Sequence, residues 1–204
     1  MMKRYGFLAL GTLALLPSLA QAAQPLGAGA VDLYYIPSAG IEVTDPLGPD
    51  GDDDGDGFGV KGLFKVAESV ALSGEYQSST YDDSDADIDQ LRLGVGFVGT
   101  GLSGIFAEYD KIDFDGEDID GFSIRARLAG DLNPQFGLYG DIGYALLESD
   151  DEDIDGLEFT IGGVLRLNPQ AGIFVDYRLS NLEGQDSGVE VELDDLRVGV
   201  RLEL

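Results

Sequence analysis

The segment "DIDGFSIRARLAG", residues 118–130, decides how the chain folds. From Phe122 to Leu128 every second side chain is apolar, and Arg125 and Arg127 stand between them. Successive side chains of a β-strand point to opposite faces, whereas an α-helix repeats every 3.6 residues. The segment therefore predicts a strand with one apolar face and one charged face.

Ten segments of the chain alternate with the same period of two. Each has about 5 to 11 residues, which is the length of a strand that crosses a membrane at a tilt. We predict a β-strand in each of these ranges: Val31–Tyr35, Phe58–Val66, Val70–Gln77, Leu91–Val98, Ser103–Asp110, Phe122–Ala129, Phe136–Leu146, Leu157–Leu167, Ala171–Leu179 and Leu196–Leu204.

A short acidic text repeats ahead of five of these strands. Its copies are "DGDGFGVKG" from residue 54, "DIDQLRLGVG" from 87, "DIDGFSIRA" from 118, "DIDGLEFTIGG" from 153 and "LDDLRVGVRL" from 193. Their final aspartates, spaced by 33, 31, 35 and 40 residues, are Asp56, Asp89, Asp120, Asp155 and Asp195. Solenoids and propellers have periods in this range too, but here one period corresponds to one β-hairpin.

The connections between the predicted strands are of two kinds, four short turns and five longer acidic stretches. The acidic stretches are residues 38–57, 78–90, 111–121, 147–156 and 180–195. Together with Asp110 they hold 30 of the 39 acids. Short periplasmic turns and longer extracellular loops are typical of outer-membrane barrels. We therefore predict acidic extracellular loops and periplasmic termini.

Residues 1–22 have the features of a secretory signal peptide. Lys3 and Arg4 precede an apolar run that is too short to span a bilayer, and "AQA" at the end of the segment is an A-x-A cleavage site. We predict three parts of the chain: a signal peptide at residues 1–22 that is removed, a short lead-in at 23–27 and a barrel domain at 28–204.

The composition excludes several classes of protein. Residues 1–22 contain two of the 12 bases and none of the 39 acids, so the remaining chain has 10 bases and a net charge of −29. Such a surface repels nucleic acid and attracts cations. The chain has no Cys and no His, so it has no disulfide and lacks the commonest general base and metal ligand. We therefore predict that the protein is not an enzyme.

The bases of the predicted strands share one face. Nine of the ten bases beyond residue 22 lie there, and the exception is Lys111 at a loop edge. A base on the lipid face at the middle of a bilayer costs roughly 2–4 kcal/mol, so this sorting favours an apolar face toward lipid and a charged lumen. The predicted lumen charges are Lys61, Lys65, Glu75, Arg92, Glu108, Arg125, Arg127, Asp141, Glu158, Arg166, Asp176, Arg178, Arg197 and Arg201, with Asp32 and Glu203 on the same face.

A soluble antiparallel sandwich also separates an apolar from a charged face. Three features favour a membrane instead. Aromatic residues gather near both ends of the apolar face, as at lipid interfaces, and glycines at positions 94, 96, 143, 162 and 199 leave room for arginines in a narrow lumen. The last strand resembles the C-terminal assembly signal of bacterial outer-membrane barrels. We predict an all-β fold, a ten-stranded antiparallel transmembrane β-barrel of a Gram-negative outer membrane, with a secreted cation-binding sandwich as the alternative.

The texts "DGDGFGVKG", "DIDQLRLGVGF" and "DIDGFSIRARLAG" resemble the small outer-membrane barrels of xanthomonads and related proteobacteria. That family is named after a proposed activator of XA-type plant immunity. The resemblance covers most of the chain beyond residue 22. It implies an exported barrel at the cell surface, and it supplies no catalytic residues.

The stretch "PDGDDDGDGFGVKG", residues 49–62, places Asp52, Asp54 and Asp56 at alternate positions. An EF-hand loop that starts at Asp52 requires Glu at its twelfth position, which is Leu63 here, so the sequence argues against an EF-hand. A looser site for Ca²⁺ or Mg²⁺ at the three aspartates and a solvated loop both remain open. No other cofactor is predicted.

Five acidic loops on one side would repel one another unless salt screens them or cations bridge them. The neighbours outside an outer membrane are lipopolysaccharide phosphates bridged by divalent ions. We predict shared Mg²⁺ or Ca²⁺, with adaptation to a saline habitat as the alternative. Predicted partners are outer-membrane lipid, lipopolysaccharide, divalent cations and, during biogenesis, the outer-membrane assembly machinery.

The charged lumen has two interpretations. About ten strands enclose a space that side chains largely fill, which favours a salt-bridged plug. The alternative is a narrow, porin-like channel that attracts cations. The expected function is therefore envelope structure or surface interaction, with limited permeation as the second hypothesis.

Overall fold

The structure, a computed structural model, describes residues 29–48, 50–84, 86–99, 102–114, 117–149 and 152–204. The predicted signal peptide at 1–22 and the lead-in at 23–27 lie outside these ranges. The described residues form ten β-strands: β1 Gly29–Thr44, β2 Gly51–Ala67, β3 Val70–Tyr81, β4 Asp87–Val98, β5 Gly104–Phe114, β6 Glu117–Asp131, β7 Phe136–Glu148, β8 Asp153–Asn168, β9 Ala171–Gly184 and β10 Glu190–Glu203.

The ten strands form one closed barrel. Each strand pairs antiparallel with its neighbours in the chain, and β10 pairs with β1. Closure leaves no unpaired sheet edge, which is the condition for crossing a bilayer with strands. The prediction of a ten-stranded antiparallel barrel is confirmed, and the alternative of a soluble sandwich is wrong.

The strands are longer than predicted, at 11 to 17 residues. They continue into the acidic stretches, so the expectation that these stretches are loops throughout is wrong. The strand bounds leave only residues 45–50, 82–86, 115–116, 149–152 and 185–189 between the strands that these stretches join.

The physical reason is the alternation within the repeated acidic text itself. On β4, Asp87 and Asp89 are exposed on the outside of the barrel, whereas Ile88 between them is buried inside. A strand places neighbouring side chains in this way. We call this end of the barrel the acidic end, and the opposite end, with the four short turns and both ends of the described chain, the turn end.

One irregularity shapes the lumen near the acidic end. β1 shifts register against both of its neighbours around Pro37. Proline has no N–H to donate to the ladder, and a bulge is a place where a strand tolerates it. The bulge lets Ile36 and Ala39 both point inward, where both are fully buried.

The outer face of the barrel carries a continuous apolar belt. Large apolar side chains are exposed there, among them Leu93, Phe122 and Ile161. On β8 the belt runs from Leu157 to Leu167, and about 11 residues is the span of a tilted strand across bilayer hydrocarbon. Within the described ranges, no helix is long and apolar enough to cross a membrane.

Five tyrosines mark the edge of the belt toward the acidic end. Each hydroxyl donates a hydrogen bond to an aspartate on the following strand. On that strand an apolar residue lies directly opposite the tyrosine, and the aspartate lies two residues before it in the chain. These pairs, the tyrosine–aspartate ring, are Tyr35–Asp56, Tyr76–Asp89, Tyr109–Asp120, Tyr144–Asp155 and Tyr177–Asp194. Tyrosine prefers an interface where its ring is apolar and its hydroxyl is wet, so the ring marks the membrane surface.

Candidate functional site

The lumen contains three layers, and the first is an apolar plug at the acidic end. Buried side chains from six strands form it. The plug consists of Ile36, Ala39, Tyr81, Ile88, Ile112, Ala145, Leu147 and Leu182. Three partly buried residues of the strands β6, β8 and β10 pack against this cluster, namely Ile119, Ile154 and Leu193. The sequence pattern favours a salt-bridged plug and does not predict this apolar one.

The second layer consists of buried ion pairs, and Arg92 is the centre of a first ion cluster. Its guanidinium contacts Asp110 and lies 2.7 Å from Glu158 and 3.9 Å from Glu108. Arg125 lies 2.7 Å from Glu108 and 3.7 Å from Glu158. Two arginines therefore share three carboxylates between β4, β5, β6 and β8.

A second ion cluster lies on the other side of the lumen, around Asp176 of β9. Asp176 contacts Arg197 and lies 2.6 Å from Lys61. Arg197 lies 2.9 Å from Glu75, which also accepts a hydrogen bond of 2.6 Å from the hydroxyl of Tyr34. These contacts join β1, β2, β3, β9 and β10 across the barrel.

Arg178 extends the second cluster toward the plug. Its guanidinium lies 2.7 Å from Asp195 and donates a hydrogen bond of 2.9 Å to Gln77. Both partners are buried. The amide of Gln77 in turn donates to Asp195 at 3.0 Å, which closes a three-residue network.

The sequence pattern groups Asp110, the last residue of a predicted strand, and Asp195, in the stretch 180–195, with the acids of the loops, and this grouping is wrong. Both point into the lumen, where Asp110 is 1% and Asp195 is 5% exposed. Strand parity was the signal that could have located them. Asp110 lies two residues after Glu108, and Asp195 lies two residues before Arg197.

Four further ion pairs lie toward the turn end. Arg127 and Arg201 lie 3.1 Å and 2.6 Å from their partners Asp141 and Asp32. Arg166 lies between Asp131, at 2.8 Å, and Glu203, at 2.7 Å. Lys65 is half-buried on the same strand face and joins no ion pair within the described residues.

The lumen glycines make room mainly for aromatic rings, and less for arginines than predicted. An added Cβ would lie 2.3 Å from the Phe106 ring at Gly96 and 2.6 Å from the Tyr139 ring at Gly162. Five glycines are predicted from the sequence to leave room for arginines, and only Gly143 of these adjoins one. An added Cβ at Gly143 would lie 3.7 Å from Arg125. The rings stand against the ion pairs: Lys61 Nζ is 4.6 Å from the centre of the Phe174 ring.

The third layer is an open vestibule at the turn end, with a volume of about 550 Å³. Its mouth includes Gly29, Leu102 and Glu203, and its inner wall includes Lys61 and Arg127. By contrast, the cavity between the first ion cluster and the plug has a volume of about 10 Å³, which is about the room that one water needs.

The three aspartates proposed as a metal site lie along the outside of β2. Asp52, Asp54 and Asp56 are all exposed on one strand face, where successive side chains stand about 7 Å apart. The structure therefore does not bring the three together around one point. Within the described ranges, no group of three or more His, Cys, Asp or Glu side chains is arranged to hold a metal ion.

Carboxylates in and beyond the tyrosine–aspartate ring instead form rows across neighbouring strands. The strand register places them directly opposite one another. The four carboxylate rows are Glu192–Glu42–Asp52, Asp89–Asp113–Asp118, Asp120–Glu148–Asp153 and Asp155–Glu183–Glu190. Such neighbours have Cβ atoms about 4.5–5.5 Å apart. Of the described bases, only Lys111 lies on this outer face, 2.8 Å from Asp118.

The family model of the outer membrane protein β-barrel domain matches residues 7–203, which include all ten strands. The chain belongs to the outer membrane protein β-barrel domain family. This outer-membrane barrel is thus located in the outer membrane of a Gram-negative bacterium. A search of curated protein sequences found no match to the chain.

The outer-membrane barrel is similar to several solved structures. The outer membrane protease OmpT from Escherichia coli matches with a TM-score of 0.57 and 10% identity, over 88% of this chain and 97% of OmpT. The attachment invasion locus protein Ail of Yersinia pestis matches with a TM-score of 0.40 and 17% identity, over 87% of this chain and 99% of Ail. An outer membrane channel from Pseudomonas putida F1 matches with a TM-score of 0.47 and 11% identity, over 89% of this chain and 96% of the channel. At these identities the similarity concerns the fold alone.

Carboxylates fix two connections at the acidic end of the outer-membrane barrel. Glu152 accepts hydrogen bonds from the backbone N–H groups of Ser187, at 2.6 Å, and Asp186, at 3.0 Å. Asp53 holds the backbone N–H of Ser84 in the same way, at 2.9 Å. The hydrogen bonds from Ser187 lower the pKa of Glu152 below its ordinary value, because N–H donors stabilise the ionised form.

We expect the connection at residues 185–189 to loosen in acid. Because the folded-state pKa of Glu152 is lowered, its contribution is present above its unfolded pKa of about 4.3 and is lost as the pH falls through the folded-state value. Hydrogen exchange at the Ser187 amide, corrected for the intrinsic pH dependence, should be steady from about pH 7 to 5 and rise below about pH 4. Glu152→Gln keeps an acceptor but does not titrate, so the same rise in this variant would contradict the prediction.

Proposed function

We propose that this outer-membrane barrel is a closed surface protein whose acidic end binds Mg²⁺ or Ca²⁺ together with the phosphates of neighbouring lipopolysaccharide. The observation that carries the proposal is the set of four carboxylate rows at and beyond the tyrosine–aspartate ring. With the acidic end outside the cell, as the sequence predicts, these rows lie at the level of the outer-leaflet head groups.

The electrostatics of the rows favour divalent cations. Like charges directly opposite on neighbouring strands destabilise a sheet. Salt at physiological strength screens charges over about 8 Å, so carboxylates at the spacing of the rows still repel one another. Mg²⁺ typically binds one or two carboxylates, several waters and phosphate oxygens rather than a cage of protein ligands. Paired carboxylates beside a phosphate-rich surface supply that combination.

The closed lumen favours a structural role over permeation. The apolar plug joins residues of β1, β3, β4, β5, β7 and β9 at the acidic end, and Ile36 and Ala39 within it are fully buried. The ion clusters fill the layer beneath the plug with paired charges. A narrow channel would require both layers to open, which would expose buried apolar side chains and separate buried ion pairs.

The proposed function is not enzymatic. OmpT, which is similar in fold, is a protease, so the fold alone does not decide the matter. The chain has no histidine, and imidazole is the most frequent general base. The buried carboxylates of Glu158 and Asp176 lie against arginines that hold them in fixed pairs, which supports a structural role for them.

Two finer predictions belong to the same proposal. The kinship with the xanthomonad barrels rests on the three repeated texts, and it agrees with a role at the cell surface. Recognition by the outer-membrane assembly machinery rests on the last strand, where Leu196, Val198 and Val200 alternate outward.

Removal of divalent cations is expected to weaken the folded barrel in bilayers that contain lipopolysaccharide. A ligand that binds only the folded state stabilises it by about 2.7 kcal/mol at one hundred times its Kd. EDTA should therefore lower the thermal unfolding midpoint and open the acidic end to protease, and Mg²⁺ should restore both. If EDTA leaves the midpoint and the protease resistance unchanged, cation bridging is refuted. Full rescue by NaCl of equal ionic strength would indicate adaptation to salt instead.

A matched pair of variants locates the effect. Glu42→Gln with Glu192→Gln removes two of the three charges from one row, so it should reduce the loss of stability in EDTA. Glu68→Gln removes an exposed charge at the turn end and should respond to EDTA like the wild type. Equal responses of the row variant and the wild type would contradict a role for that row.

A further inference from the structure

Independently of cation binding at the acidic end, we propose that the vestibule at the turn end binds a small amphiphilic organic acid, with its anionic group against the inner wall and its apolar part toward the mouth. In the predicted orientation the ligand enters from the periplasm.

The inner wall of the vestibule is cationic where a ligand can touch it. Inward side chains reach solvent only through the lumen, so their exposure measures access from the vestibule. The bases Lys61, Arg125, Arg127 and Arg201 keep 13–18% of their side-chain surface exposed, whereas their partners Asp32, Glu108, Asp141 and Asp176 keep 0–5%. On the inner wall the acids thus lie behind the bases, and the accessible charge there is positive. The exposed acids of the lining, Asp131 and Glu203, lie at the mouth, on either side of Arg166.

The buried acids also hold the bases in place. Arg201 donates two hydrogen bonds to Asp32, of 2.7 Å and 2.6 Å. Arg127 donates to both carboxylate oxygens of Asp141, at 3.2 Å and 3.1 Å. A site whose side chains are ordered before binding loses little conformational entropy when the ligand arrives.

Tyr139 brings two of these bases within reach of one ligand. The guanidinium carbons of Arg127 and Arg201 lie 4.8 Å and 5.2 Å from the centre of its ring. They are therefore at most 10 Å apart, although they come from β6 and β10. Guanidinium groups match the geometry of carboxylates and phosphates, so an acid of either kind satisfies this wall.

The volume of the vestibule and its apolar lining indicate how large the ligand is and that part of it is apolar. A volume of about 550 Å³ lies within the range of about 300–1,000 Å³ that is usual for small-molecule pockets. Leu63 and Leu102 add partly exposed apolar surface to the lining, together with small parts of the buried Phe106 and Val164. An apolar body next to an anionic group therefore fits the vestibule better than a bare inorganic ion.

The test uses 2-naphthoate as the probe and the full barrel in lipid nanodiscs. We expect saturable binding of one naphthoate per barrel above the level of empty nanodiscs, at least tenfold weaker binding of the uncharged 2-naphthamide, and weaker naphthoate binding as salt is raised. Absence of saturable binding, or equal binding of the acid and the amide, would overturn the proposal.

Variants place the site within the vestibule. Arg127→Gln with Asp141→Asn removes a base together with its buried partner and should weaken naphthoate binding at least fivefold. Ala30→Trp places a large uncharged side chain on the vestibule lining and should abolish naphthoate binding. This variant serves as the test if the double variant does not fold. Lys111→Gln removes a base from the outer face and should bind like the wild type. Unchanged binding in folded Ala30→Trp, or an equal loss in Lys111→Gln, would refute the site.

Discussion

Arg92→Met should destabilise the folded barrel by about 3–5 kcal/mol, because removing one partner of a buried ion pair leaves the opposite charge without compensation. Arg92 is almost fully buried and lies between Asp110, Glu158 and Glu108. Of these three acids, Glu108 and Glu158 keep Arg125 as a partner, whereas Asp110 keeps no other ion pair among the described residues. Urea unfolding in lipid vesicles measures the loss as a shift of the midpoint.

Two control variants accompany this prediction. Lys111→Met removes an exposed ion pair with Asp118, and exposed pairs contribute little to stability, so its midpoint should remain that of the wild type. Adding Asp110→Asn to Arg92→Met should recover part of the loss, because fewer buried charges remain unpaired. Equal midpoints for Arg92→Met and Lys111→Met would contradict the importance of the first ion cluster.

Ile161→Arg is expected to cost about 2–4 kcal/mol, the penalty for a base near the middle of the lipid-facing surface. Ile161 is 70% exposed and lies midway along the apolar belt on β8. The variant should fold into vesicles with a lower yield and a lower urea midpoint. Heat-modifiable gel mobility reports the folded fraction.

Asn181→Arg is the matched control on the next strand. Asn181 is exposed on the outer face, beyond Tyr177 of the tyrosine–aspartate ring and directly opposite Glu192. The introduced base meets acids and water there, so no loss is expected. If both arginines reduce folding equally, the position of the membrane surface inferred from the ring is wrong.

Most of the fold can be predicted from the alternation of apolar and polar side chains along each strand. The alternation of Arg125 and Arg127 with apolar residues is sufficient to predict both the strand and its lipid-facing side, because the period of two is a local property of the backbone. In the acidic text the density of aspartates suggests loops. The same alternation nevertheless places Ile88 and its equivalents inside the barrel, and it is the sequence signal of the apolar plug.

The contacts within the lumen were beyond sequence reasoning for a different reason. Arg178 hydrogen-bonds Gln77 although 101 residues separate them, and Arg197 bonds Glu75 across 122 residues. Which base meets which acid depends on the tilt and stagger of the closed sheet, and no local pattern specifies these quantities. The vestibule follows from the same geometry, because it depends on which bases turn toward solvent and which acids lie behind them.

The rows of carboxylates are an intermediate case. Sequence alone locates the acids near one end of the barrel, but the pairing of Glu42 with both Asp52 and Glu192 requires the register of three strands. Because of this register, the candidate ligands of a divalent cation are carboxylates on neighbouring strands and not three aspartates along one strand.

Single-channel recording in planar bilayers tests the central claim, that the lumen is closed, most directly. The cavity between the apolar plug and the first ion cluster has a volume of only about 10 Å³, and the second ion cluster adds paired charges on the other side of the lumen. The wild-type protein should therefore produce no conductance steps above background, under conditions in which a porin of known conductance inserts and opens. Reproducible discrete steps from the purified wild-type barrel would contradict this account.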